Sequence, residues 1–240
     1  MDQSITKSTP DSKKNIRRYL LFWALFVCLS LIVSFCLDRL ILYQIVRQVI
    51  PNPRSGFIFR TLESLKEFGQ PVAITVTCLL IFLLDKSRRR LLPRLLLCII
   101  LPSVLVWPIK LTVHRIRPHR IDNHRTTLGL GFFWGSQPTP PAWDHSFANQ
   151  DKIVANPELR RSEMQSFPSA HTATALAFAV ALSAMYPPAR VVFYALAAGC
   201  GLHRILFDAH WFSDVVASVF IGLFVSRAVW RWRNRPTQSP

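Results

Sequence analysis

Apolar residues gather into six runs separated by charged or polar segments. The first, residues 19–37, holds no charged side chain. Its length is close to the roughly 20 helical residues that cross about 30 Å of hydrocarbon. Further runs occupy 68–84, 91–109, 171–186, 189–206 and 211–230. The pattern predicts an all-α integral membrane bundle of six transmembrane helices, with a long extracytoplasmic loop between spans three and four. The run at 19–37 ends in Leu37-Asp38-Arg39 without a small-residue cleavage site, so it reads as a first span rather than a signal peptide. Ala and Thr fill the fourth run, which suits close helix packing.

The polar segments set the orientation. The tail before Tyr19 carries Lys7, Lys13, Lys14, Arg17 and Arg18. The connection after span two carries Lys86, Arg88, Arg89 and Arg90, and the C-terminal end carries Arg227, Arg231, Arg233 and Arg235. Six spans put all three on one side, and short basic segments mark that side as the cytoplasm. The expected organisation is a cytoplasmic tail at 1–18, a six-span domain at 19–232 and a second cytoplasmic tail at 233–240. Two segments then face outward. In 38–67, the spacing of Phe59, Leu62, Leu65 and Phe68 predicts a short interfacial helix. The loop at about 110–167 is rich in Pro and aromatics and reads either as a lid on the headgroup region or as an insertion with no chemical role.

Composition agrees with a membrane protein. The 240 residues are half apolar and 18% charged, below the quarter or so usual in soluble domains, and this excludes a disordered chain. The net charge of +16 would point to nucleic acid in a soluble protein. Here the bases flank apolar runs, so membrane lipids are the expected partner and nucleic acid is not. The five cysteines all lie inside apolar runs, where a free thiol packs as a small hydrophobe; neither a disulfide framework nor a zinc site is expected.

The polar chemistry concentrates in three stretches that the six-span topology brings to one membrane face. Lys110 and Arg117-Pro118 lie at the outer end of span three. Pro168, Ser169, Ala170 and His171 open span four. His203, Arg204, Asp208, His210 and Asp214 fill the turn between spans five and six. Lys110, Arg117 and Arg204 outnumber the acids nearby, which points to an anionic ligand, and guanidinium forks match phosphate oxygens. The start of span four adds backbone N–H groups, and Ser169 can cap it. His210 and Asp214 are four apart and share a helix face, so the carboxylate can orient an imidazole for nucleophilic attack. His171 can give a proton to a leaving oxygen. A nucleophile, an acid and an anion clamp suit phosphoryl transfer. Each signal is weak alone, and the ordered combination is specific.

In order and spacing these stretches resemble the signature of the type 2 phosphatidic acid phosphatase superfamily, which shares its site with the vanadium haloperoxidases: K-x6-R-P, then P-S-G-H, then S-R-x5-H-x3-D. The resemblance covers residues 69–230. It implies that His210 forms a phosphohistidine, that Asp214 orients it, and that His171 protonates the leaving alcohol. Lys110, Arg117, Arg204, Ser169 and the Ala170 N–H would bind phosphate, with no metal and no cofactor. The implied enzyme hydrolyses a lipid phosphate monoester or diphosphate at the outer face of the cell membrane. Lipid-to-lipid phosphotransfer, vanadate-dependent halide oxidation and a decayed site that only binds anionic lipids are the alternatives. Three positions depart from the pattern: Ala170 replaces Gly, His203 replaces Ser, and Asp208 stands where Gly is frequent. Asp208 would repel a dianion, bind part of the substrate, or pair with Arg204 or His203.

Overall fold

The structure is a computed structural model that describes residues 10–46, 57–113, 115, 117–118 and 165–232. Those residues are mostly helical, with no strand among them. Helix α1 (Pro10–Leu40) runs on into a π-helical turn, Ile41–Val46. Next come α2 (Phe57–Leu65), a 3₁₀ turn (Lys66–Gly69), α3 (Pro71–Leu84) and α4 (Leu92–Val113). After the loop come α5 (Ala170–Met185), α6 (Arg190–Leu206) and α7 (Phe212–Trp232).

Each of the six apolar runs is a helix. Four segments are long and apolar enough to cross a membrane: Arg17–Val46, Arg89–Val113, Pro187–Leu206 and Phe212–Arg231. The pair Arg60–Gly69 and Pro71–Leu84 makes a fifth if its 64° bend lies within one span. The bend follows from Pro71, which pushes Gln70 to extended backbone (φ −97°, ψ 152°) and then starts α3 at its first position. The expectation of six spans is therefore met on length by four or five. Helix α5, with 16 residues, is about 24 Å long at 1.5 Å per residue and falls short.

The short helix occupies the centre. Helix α5 packs against α4, α6 and α7, and Ala173, Ala175, Ala177, Phe178, Ala179 and Ala181 are wholly buried. Small side chains let the neighbours come close. A Cβ on Gly222 of α7 would lie 2.7 Å from the Ala173 carbonyl oxygen, so this contact requires glycine. The outer helices turn apolar side chains outward instead: Leu20, Phe22, Leu25 and Leu29 of α1 are each more than 60% exposed. Such a surface is stable in lipid and not in water.

Polar contacts fix both ends of α5. At its C-terminal end, Asp85 accepts hydrogen bonds from Ser87, Arg88 and the Tyr186 hydroxyl, and the Arg88 guanidinium stacks on the Tyr186 ring. The Ser87 and Arg88 donors hold the Asp85 carboxyl well below the usual carboxylate range. At the other end lies the polar cluster described next. The amphipathic segment expected within 38–67 is seen as α2, which packs on α6, with Leu65 seated against Gly199. The lid expected from the 110–167 loop falls mostly on 119–164, outside the described residues.

Candidate active site

Three helix ends build the cluster. Lys110 lies in the last turn of α4, is 8% exposed, and donates from Nζ to the Gln165 carbonyl oxygen at 2.6 Å. That bond ties the two ends of the long loop together. Ser169 caps α5: its Oγ accepts from the Thr172 N–H at 3.5 Å and from the Thr172 hydroxyl at 3.0 Å. Its own N–H donates to the Asp214 carbonyl oxygen at 3.3 Å, which binds the start of α5 to the start of α7. Ala170 and His171 form the first turn of α5, where free N–H groups attract an anion. Gly69 packs beneath this turn, since a Cβ there would come within 2.6 Å of the His171 carbonyl oxygen.

The turn between α6 and α7 folds back on itself. The N–H groups of Ala209 and His210 both donate to the Arg204 carbonyl oxygen, at 3.2 and 3.0 Å. His210 is thereby held beside Arg204 with only 2% exposure. Its Nδ1 lies 3.5 Å from Asp214 Oδ2, just beyond hydrogen-bond length and in line with the i, i+4 expectation. Burial and the nearby Arg204 and Lys110 charges push the His210 imidazole down to about 3, against the pull of Asp214. The ring is neutral at pH 7, the state a nucleophile needs. The charges of Arg204, Lys110 and Arg117 all bear on His171, so these residues form one electrostatic unit. The structure thus brings Lys110, Arg117, Ser169, Ala170, His171, Arg204, His210 and Asp214 to one end of the bundle.

Two departures from the pattern acquire a physical account. Ala170 is helical and not at positive φ, so its Cβ costs nothing. Asp208 has φ 51°, the left-handed region where glycine is favoured and Asp is tolerated better than most residues. Replacing Asp208 with Gly relieves that conformation. Asp208→Gly is expected to stabilise the protein by about 0.5–1 kcal/mol, and Asp208→Val to destabilise it by about 1–3 kcal/mol, in thermal melts of detergent-purified protein. At the third departure, His203 is 3% exposed, stacks on Phe207 with ring centroids 4.1 Å apart, and makes no hydrogen bond through either ring nitrogen.

Sequence reasoning passed over five residues that hold Asp214, three directly and two through them. Arg115 lies between the two recognised bases of the first stretch, and its Nη1 donates to Asp214 Oδ1 and to the Ser213 hydroxyl, both at 2.6 Å. Its Nη2 donates to Asp38 of α1 at 2.6 Å. Asp38 in turn accepts from the Ser213 N–H at 2.8 Å and hydroxyl at 2.6 Å. The Ser166 hydroxyl and the Trp211 N–H donate to Asp214 Oδ2. One sequence signal was available for Asp38: an acid at the end of a long charge-free run implies a buried partner.

Residues 91–238 match the family model described as the PAP2 superfamily. The chain is 40% identical over 65 residues to the Lipid A 1-phosphatase of Rhizobium johnstonii, covering 27% of each chain. It is 41% identical over 79 residues to the Lipid A 1-phosphatase of Rhizobium etli, covering 33% of this chain and 34% of that one. The chain thus spans about a third or less of the length of the curated relatives it matches. The crystal structure of Aquifex aeolicus LpxE superposes with a TM-score of 0.53 at 20% identity, over 77% of this chain and 92% of that one, a likeness of fold. The family model spans more than half of the chain and contains all three site stretches, and the chain belongs to the PAP2 superfamily.

Proposed function

We propose that the protein is a membrane phosphatase that hydrolyses a lipid phosphate monoester or diphosphate through a phosphohistidine, without a metal. The observation that carries this reading is a buried His210 facing Asp214 in a cluster with Lys110, Arg117 and Arg204. In the first step the His210 Nε2 lone pair attacks phosphorus while Nδ1–H faces Asp214 Oδ2. The bond from phosphorus to the lipid oxygen breaks, and His171, protonated once the bound phosphate dianion offsets the Lys110, Arg117 and Arg204 charges, gives its proton to that oxygen. In the second step a water oxygen attacks phosphorus, neutral His171 takes the water proton, and the phosphorus–nitrogen bond breaks with its electron pair returning to His210 Nε2. Phosphate leaves and His210 is restored. Lys110, Arg117, Arg204, Ser169 and the Ala170 N–H hold the phosphate oxygens. Three fixed cations neutralise the developing charge and repel a divalent ion, which favours chemistry without one.

A lipid substrate is favoured because the site lies at one end of a bundle whose outer faces are apolar. The names of the Rhizobium relatives make a lipid A phosphate the first candidate. The short helix α5 counts as the sixth crossing in this reading, shielded from lipid by its neighbours. The Asp85–Arg88–Tyr186 cluster and its adjoining bases lie at the cytoplasmic end, with the active site at the outer face. The test is phosphate release by detergent-purified protein from a panel of lipid phosphates and diphosphates, with and without chelator. Release that a chelator leaves intact supports the proposal. Release that requires added divalent metal, or none from any lipid, contradicts it.

A further inference from the structure

The buried ion group behind Asp214 extends to a helix outside the family-matched segment. Arg115 is 6% exposed and lies between the rings of Phe35 and Trp211, 4.9 and 5.0 Å from their centroids. Its two Nη atoms divide between two carboxylates: Asp214, wholly buried, and Asp38, 4% exposed. Asp38 holds Ser213, the residue before Asp214, by both backbone and side chain. The end of α1 therefore clamps the first turn of α7.

A guanidinium paired with Asp214 alone would neutralise that carboxylate and weaken it as a partner for the imidazole. With Asp38 sharing the guanidinium and both carboxylates ionised, the group carries one net negative charge. As Nε2 of His210 bonds to phosphorus, its ring gains positive charge, and the Asp38–Arg115–Asp214 group offsets it. Lys110 and Arg204 face the same ring from α4 and α6, so the offset is needed where the local field is otherwise positive.

We propose that Asp38 and Arg115 are positioning residues for the nucleophile, acting through Asp214 and Ser213, so that α1 is part of the catalytic apparatus. This rests on the reading of His210 as nucleophile. The test compares full-length wild type, Asp38→Asn, Arg115→Lys, Asp214→Asn, the Asp38→Asn/Asp214→Asn double variant and His210→Ala in detergent. The substrates are dioctanoylglycerol phosphate and p-nitrophenyl phosphate, and thermal melts run alongside. Asp38→Asn is expected to lower kcat about 10- to 100-fold with KM within about twofold, as loss of a supporting hydrogen-bond partner does. In the Asp214→Asn background it should cost nothing further, because its effect passes through that carboxylate. Arg115→Lys keeps the charge, loses the fork, and should lower kcat likewise. A dead His210→Ala beside an Asp38→Asn with wild-type kcat overturns this inference alone. An undiminished Asp38 effect in the Asp214→Asn background also overturns it, since a purely structural role is additive. Where Asp38→Asn does not fold, a folded Arg115→Lys with wild-type kcat overturns it. His210→Ala as active as wild type overturns the nucleophile reading and this inference with it.

Discussion

His210→Ala is expected to lower phosphate release from lipid phosphate by at least about 10⁴-fold while the protein still folds. The size of the effect follows from the position of the ring. His210 is 2% exposed, stands beside the cation cluster, and has its Nδ1 edge turned to Asp214. No other described imidazole combines these features: His203 stacks on Phe207, and His171 sits across the cluster on α5. Removing the ring leaves the phosphate clamp intact, so binding should persist and kcat should collapse. A variant that binds inorganic phosphate like wild type but releases none from lipid is the expected pair of results. A His210→Ala protein retaining more than about a tenth of wild-type kcat would remove His210 from the mechanism.

The second large effect separates the acid from the nucleophile. His171→Ala is expected to lower kcat for an alkyl phosphate by about 10²- to 10⁴-fold, the range for loss of a general acid. The same change costs much less with p-nitrophenyl phosphate, whose leaving oxygen departs without a proton. His171 is held in the first turn of α5 by the Ser169 cap and by the glycine contact beneath it, and it shares the field of Lys110, Arg117 and Arg204. Steady-state rates on the two substrates check the assignment. Equal losses on both would mean that His171 positions phosphate and does not protonate the leaving group.

Much of the candidate site was legible because the chemistry proposed for it uses residue types at fixed spacings. His210 and Asp214 are one helical turn apart, and the cap at Ser169 is local, so sequence distance and spatial distance agree there. The apolar runs located α1 and α3 to α7 for a similar reason, since burial in lipid demands apolar length, and α2 followed from amphipathic spacing. The 64° bend at Gln70-Pro71 and the short, central α5 were harder to foresee. Helix α5 need not match the bilayer because its neighbours shield it, and that depends on packing rather than composition. The support behind Asp214 was not legible. Asp38 bonds to Arg115, 77 positions away, and to Ser213, 175 positions away. Only the fold brings them together. Asp208 falls between these cases: the departure from Gly was visible, and the left-handed backbone that explains the preference was not.

The central claim is that phosphate passes through His210, and rapid-quench labelling tests it most directly. Wild-type protein would be mixed with ³²P-labelled lipid phosphate, stopped in alkali, and its label mapped by peptide. A phosphohistidine survives alkali and is lost in acid. The account predicts alkali-stable, acid-labile label on the peptide carrying His210, formed faster than steady-state turnover and absent in His210→Ala. Turnover with no labelled protein at any time point, or label that persists in His210→Ala, would contradict it.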